Sequence, residues 1–106
     1  MNPENEAIAA TYPGLKHLMR AYLHQDYDLD YVDSAGAISE FLSGSPGYRG
    51  GIQVEVTRAL GQFESEEDLR FFVIEILDSY YEPEMDGITY RDWLRSVADQ
   101  ARAAGY

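Results

Sequence analysis

Ile52-Gln53-Val54-Glu55-Val56-Thr57-Arg58-Ala59-Leu60-Gly61-Gln62-Phe63 is the stretch whose reading decides the fold class of this chain. Ile52, Val54 and Val56 alternate as the inward residues of a strand would. Ile52, Val56, Leu60 and Phe63, with Ala59, fall instead on one helical face and account for more of the stretch. The reading is helix. A strand here would give a mixed fold, whereas a helix leaves an all-α one, because the rest of the chain also reads as helical.

Upstream, Pro13 suits a first helical position, and Leu15, Leu18, Met19, Tyr22 and Leu23 follow at amphipathic spacing. Asp33 or Ser34 can cap a second helix with Ala37, Ile38, Phe41 and Leu42 on its buried face. Ser43 to Gly51, with four glycines and Pro46, is the longest turn-rich stretch. Downstream, Ser65 precedes Glu66, Glu67 and Asp68, a capping hydroxyl followed by acids facing the positive helix end. Leu69, Phe72, Val73, Ile76 and Leu77 continue that helix, Phe71 and Ile74 widen its apolar face, and it is expected to be the central one. Pro83 to Gly87 makes a turn, and Thr89 caps a last helix carrying Trp93, Leu94, Val97, Ala98 and Ala101. The expected architecture is a compact bundle of about five helices in one domain, residues 12–106, behind a flexible leader, residues 1–11.

Nineteen acidic residues against eight basic ones give a net charge of −11. That balance excludes the usual nucleic-acid binder, whose affinity begins with Lys and Arg neutralising phosphates, and excludes an anionic membrane surface as partner. It favours a basic protein, or a cation, as partner. Cysteine is absent, so no disulfide, thiolate nucleophile or Cys-ligated zinc is available. With no apolar run of membrane-spanning length and an acidic, polar N-terminus, the default is a soluble cytoplasmic protein. A monomer is favoured.

The densest chemistry lies in Tyr22-Leu23-His24-Gln25-Asp26-Tyr27-Asp28-Leu29-Asp30-Tyr31, where no Lys or Arg occurs between Arg20 and Arg49. Asp26, Asp28 and Asp30 alternate like the start of a calcium loop, but the sixth position is Tyr31 where glycine is needed, and the twelfth is Ala37 where a bidentate Glu is needed. Glu82, Glu84 and Asp86 with Gly87 have the glycine, but Trp93 stands at the twelfth position. His17 and His24 are seven apart, not the four of a helical zinc pair. No metal or other cofactor is therefore expected. His24 with Asp26 has the elements of an acid–base pair, yet no nucleophile or phosphate loop accompanies them. Backbone bonding by His24 and Gln25 at a helix end is the simpler reading. Trp93 shares an apolar face with Leu94 and Val97 and reads as core. Tyr27 and Tyr31 among acids, and Tyr80 and Tyr81 before Glu82, have the composition of interface anchors, although an ordinary acidic surface with half-buried tyrosines explains them equally.

Tyr22-Leu23-His24-Gln25-Asp26-Tyr27-Asp28-Leu29 and Asp86-Gly87-Ile88-Thr89-Tyr90-Arg91-Asp92-Trp93-Leu94 together resemble the immunity proteins of bacterial contact-dependent growth inhibition systems. That family carries an apolar helix leading into an aromatic-x-His-Gln-Asp-aromatic-Asp motif, then a variable acidic middle. It closes on an Asp-Gly-(Leu/Ile)-Thr-Tyr-Arg-(Asp/Glu)-Trp-Leu segment. The likeness spans most of residues 12 to 100, and its middle matches only in helical pattern. Leu23 and Tyr27 stand where relatives more often carry Phe and Trp. The resemblance implies a non-enzymatic protein that binds and neutralises the C-terminal toxin domain, often a nuclease, of a cognate effector. On this reading Tyr27, Asp28, Asp30, Tyr31, Asp33, Glu82 and Glu84 contact the partner. His24, Gln25 and Asp26 tie the end of the first helix to the Asp86-Gly87 turn, and Trp93 belongs to the same structural motif. Two other readings are an acidic adaptor or nucleic-acid mimic, and a small hydrolase using His24 and Asp26.

Overall fold

The computed structural model describes residues 2–106, and every regular element among them is helical. Eight helices follow in order: α1 (Pro3–Ala10), α2 (Pro13–His17), α3 (Tyr27–Asp30), α4 (Ser34–Gly44), α5 (Pro46–Arg49), α6 (Ile52–Gln62), α7 (Glu66–Arg70) and α8 (Tyr90–Ala103). The stretch that decided the fold class is α6, with Ile52, Val56 and Ala59 buried and Leu60 and Phe63 packed at the core edge. The five expected helices are α2, α4, α6, α7 and α8. The other three are two single turns and the N-terminal α1.

Residues 1–11 were expected to form a flexible leader; of these, residues 2–11 are described, and they hold the helix α1. Asn2 caps α1 by accepting the Glu4 N–H at 2.8 Å, Ala9 is buried, and Glu6 takes both terminal nitrogens of Arg20 at 2.7 and 2.8 Å. The segment Ser43 to Gly51 also holds more structure than its glycines suggested, because α4 runs to Gly44 and Pro46 opens α5.

Two helices widen before they end. α2 continues as a π-helical segment over Leu18–Tyr22, closed by Leu23 N–H to the Leu18 carbonyl at 3.0 Å. α7 continues in the same way over Phe71–Ile76, closed by Leu77 N–H to the Phe72 carbonyl at 2.9 Å. Such segments are rare and often sit at functional sites. Their ends meet: Tyr80 N–H donates to the Leu23 carbonyl at 3.0 Å, and Arg20 reaches the Ile76 carbonyl at 3.2 Å.

The core's centre is α8, not α7 as expected. α8 packs against α4, α6, α7 and the 3₁₀ turn Pro83–Asp86, burying Tyr90, Trp93, Leu94, Val97 and Ala101. Phe71 does not widen the buried face of α7, since 48% of it is exposed. The predicted caps are in place. Asp33, Ser65 and Thr89 accept from the backbone N–H of Gly36, Asp68 and Asp92 at 2.8, 3.0 and 3.0 Å. Each such bond satisfies a helix-end donor and contributes about 1 kcal/mol.

A carboxylate inside the core fastens α2 to α6. Glu55, on the buried face of α6, accepts from Gly14 N–H at 3.0 Å and Leu15 N–H at 2.9 Å. α2 has no side-chain cap of its own, so Glu55 supplies one from 40 residues away. Gly14 permits this close approach: a Cβ would lie 3.0 Å from the Glu55 carboxylate, the Ile52 side chain and the Tyr48 carbonyl, so its neighbours would have to give way.

Candidate functional site

The acidic motif forms a single helical turn, α3, followed by an extended Tyr31. His24 fixes its start through the backbone: its Nδ1 accepts the Asp26 N–H at 3.1 Å, while its carbonyl accepts the Tyr27 N–H at 3.0 Å. The His24–Asp26 side-chain pair imagined for a hydrolase is not made. The carboxylate facing His24 is that of Asp30, 3.7 Å from Nε2.

The turn at Pro83–Asp86 lies against α3. Tyr27 meets Tyr81 edge-on with ring centroids 6.0 Å apart, and Tyr81 lies 5.2 Å from the buried Trp93 ring. Tyr81 donates its hydroxyl to Asp86 Oδ2 at 2.6 Å. Burial, then this bond to a carboxylate, pushes the Tyr81 hydroxyl up to about 12. The tie from the acidic motif to the Asp86-Gly87 turn therefore runs through Tyr27 and Tyr81, not through His24, Gln25 and Asp26. Gln25 and Asp26 are exposed. The C-terminal motif resolves into local reasons. Gly87 has φ 72°, a conformation glycine adopts cheaply, Thr89 caps α8, and Tyr90, Trp93 and Leu94 enter the core. Glu66 completes that helix start by accepting from Tyr90 N–H at 2.7 Å and Arg91 N–H at 3.0 Å.

The seven expected contact residues divide. Asp28, Asp30 and Glu82 carry carboxylates with no Lys or Arg within ion-pair distance among the described residues. Asp33 is exposed but holds the α4 cap, and Glu84 pairs with Arg70 at 3.2 Å. Tyr27 and Tyr31 are half-buried against the core, so only part of each faces outward. Burial raises the Tyr27 hydroxyl first, and Asp28, Asp86 and Glu82 add to the shift, so both acidic segments act on one tyrosine.

Sequence reasoning singled out Tyr80 but missed the aliphatic members of this surface, Leu29, Val32 and Met85. Leu29 is 81% exposed and Val32 fully so, while Tyr80, at 57%, and Met85 project from the neighbouring segment. An apolar residue flanked by acids on a one-turn helix, which has no buried stripe to serve, was the available signal. A cleft of about 510 Å³ adjoins the same surface where the two π-helical segments end. His24, Ile74, Tyr80 and Glu82 line it, with Arg20, Asp78 and Ser79. Ser79 is no free nucleophile, because its hydroxyl donates to the Tyr81 carbonyl at 2.8 Å and accepts the Tyr81 N–H at 3.1 Å. Among the described residues no group of three or more His, Cys, Asp or Glu could share a metal ion. No helix among them is long and apolar enough to cross a membrane.

A helical domain with an acidic, aromatic-backed surface is the class of protein defined to this point. The family model described as "CdiI immunity protein" matches residues 11–101, and the chain belongs to that family. Its structure is similar to a chain in the "Crystal structure of CdiA-CT/CdiI complex from Y. kristensenii 33638". The TM-score is 0.81 at 20% identity, covering 90% of this chain and 97% of that one. At that identity the likeness establishes the all-α fold and nothing finer. Comparison with curated proteins gives no match.

Proposed function

We propose that this protein neutralises the C-terminal toxin domain of a cognate contact-dependent growth inhibition effector in the bacterial cytoplasm. It does so as a monomeric binder and not as an enzyme, through the surface built by α3 and residues 80–86. One observation carries the reading. Two acidic segments some fifty residues apart converge on one aromatic support, Tyr27 on Tyr81 on Trp93, and expose apolar side chains between their carboxylates. Acids around apolar anchors suit a basic protein surface: charge steers the encounter and the anchors slow dissociation. A toxin that is a nuclease has such a surface, since its substrate is a polyanion. Belonging to an immunity family and sharing the fold of one chain of a CdiA-CT/CdiI complex both support the reading.

The test is a titration of the cognate toxin domain by the immunity protein at two salt concentrations. A folded Asp28→Asn, Asp30→Asn, Glu82→Gln triple variant should associate about tenfold more slowly, with a weaker salt dependence. Tight binding by that variant with unchanged rates and salt response would remove the acidic surface from the mechanism.

A further inference from the structure

The cleft beside His24 is built around charges that cancel. Arg20 is held by Glu6 on one side and by Asp78 at 3.2 Å on the other, and Lys16 also reaches Glu6 at 3.2 Å. Two cations and two carboxylates thus sum to zero. The polar group of Ser79 is closed by Tyr81. The remaining lining residues are Glu82, the exposed Tyr80 and the half-buried Ile74, and the Asp30 carboxylate lies 3.7 Å from Nε2 of His24. The C-terminal ends of two helical segments, carrying partial negative charge, also come together here.

The shape is held in place. Asp78 has φ 61°, a left-handed conformation in which glycine is the cheaper residue. An aspartate there serves the ion pair to Arg20, which a glycine would forfeit. That pair, with the Tyr80 to Leu23 backbone bond, sets where Tyr80 and Glu82 stand.

We infer that this cleft receives one basic side chain of the toxin domain, its aliphatic stem lying along Ile74 and Tyr80 and its cationic head meeting Glu82. An anionic group would face Glu82 and Asp30, while Arg20 is already held by Glu6 and Asp78. A purely apolar one would leave Glu82 desolvated without a partner. A lysine or arginine satisfies both parts, since its stem packs on apolar surface while its head pairs with a carboxylate and lies over a tyrosine ring. The volume of about 510 Å³ is ample for one such side chain. The inference rests on the proposed toxin binding and adds to it the anchoring residue class.

The experiment is a double-mutant cycle with the cognate toxin domain. Tyr80→Ala and Glu82→Gln are combined with Ala substitutions at each Lys and Arg of the toxin surface, and folding is checked by circular dichroism. Tyr80 is exposed, so its removal should leave the fold intact. Each immunity variant should lose about tenfold in affinity, mostly through faster dissociation. One basic toxin residue should couple to both. Val54→Ala, on the outer face of α6, serves as the control and should bind as wild type. Tight binding by wild type with both variants within about twofold, or with no basic residue coupled to either, overturns the cleft assignment and leaves toxin binding standing. If wild type itself does not bind, both fall.

Discussion

The carboxylates of α6 and α7 and those of α3 are the same chemical group in opposite employment. Glu55 and Glu66 each accept two backbone N–H bonds at the start of another helix, α2 and α8 respectively. Asp28 and Glu82 hold no such position and meet no basic side chain among the described residues. An excess of acid over base therefore does not by itself mark a binding surface in this chain. Part of the excess supplies helix ends that lack caps of their own, and only the remainder is available to a partner. Charge count measures the sum, and the fold separates the two portions.

The sharpest break of that division is Glu55→Ala. It strands the Gly14 and Leu15 N–H groups in the core, and should destabilise the protein by about 2–4 kcal/mol, measured by urea unfolding. Glu55→Gln keeps one acceptor and should cost less. Glu55 also titrates against the usual trend. Burial pushes its carboxyl up, outweighing the pull of the two backbone bonds and of Arg58. Its folded-state proton affinity exceeds the unfolded one, so its contribution is fully present below pH 4.5 and diminishes as pH rises.

Second in size is Glu66→Ala, expected to cost about 1–2 kcal/mol by the same unfolding measurement. It removes two bonds at the start of α8, but at an exposed position where water replaces part of the loss. An effect equal to that of Glu55→Ala would mean that burial does not separate the two glutamates.

How much of this was legible follows from which interactions are local. The helices with apolar stripes, α2, α4, α6, α7 and α8, were readable, as were the caps Asp33, Ser65 and Thr89, because donor and acceptor lie within four residues. α1 was not: it buries only Ala9 and is held by Glu6 to Arg20, a contact whose partners are 14 residues apart. The role of Glu55 had a visible sign, a carboxylate between Ile52, Val56 and Ala59 on an otherwise apolar face, that was passed over. Within the site, Trp93 as core was readable from periodicity, and the proximity of the two acidic segments was implied by the resemblance. The path through Tyr27 and Tyr81 was not, because a tyrosine among acids does not declare which neighbour its ring will meet.

Acid should act on Glu6 in the sense opposite to Glu55. Its bonds to Arg20, then Lys16, lower its carboxyl from 4.5 to about 2. The folded state holds this proton more weakly than the unfolded state, so the contribution is present above pH 4.5 and is lost as pH falls toward 2. Stability measured across that window should fall more steeply in wild type than in Glu6→Gln. Parallel curves would detach α1 from the folded body's energetics.

The smallest expected effect on stability tests the other half of the comparison. Asp28→Asn with Glu82→Gln should leave the unfolding free energy within about 0.5 kcal/mol of wild type, since neither carboxylate holds a helix end or an ion pair with Lys or Arg. A small gain is the physically favoured sign, because removing two charges from a chain of net −11 lessens self-repulsion. The same variant should bind the toxin domain more slowly, so stability and association move apart. A loss of more than about 1 kcal/mol would instead make these acids structural, like Glu55 and Glu66, and would take two of the three carboxylates free of Lys and Arg from the surface offered to a partner.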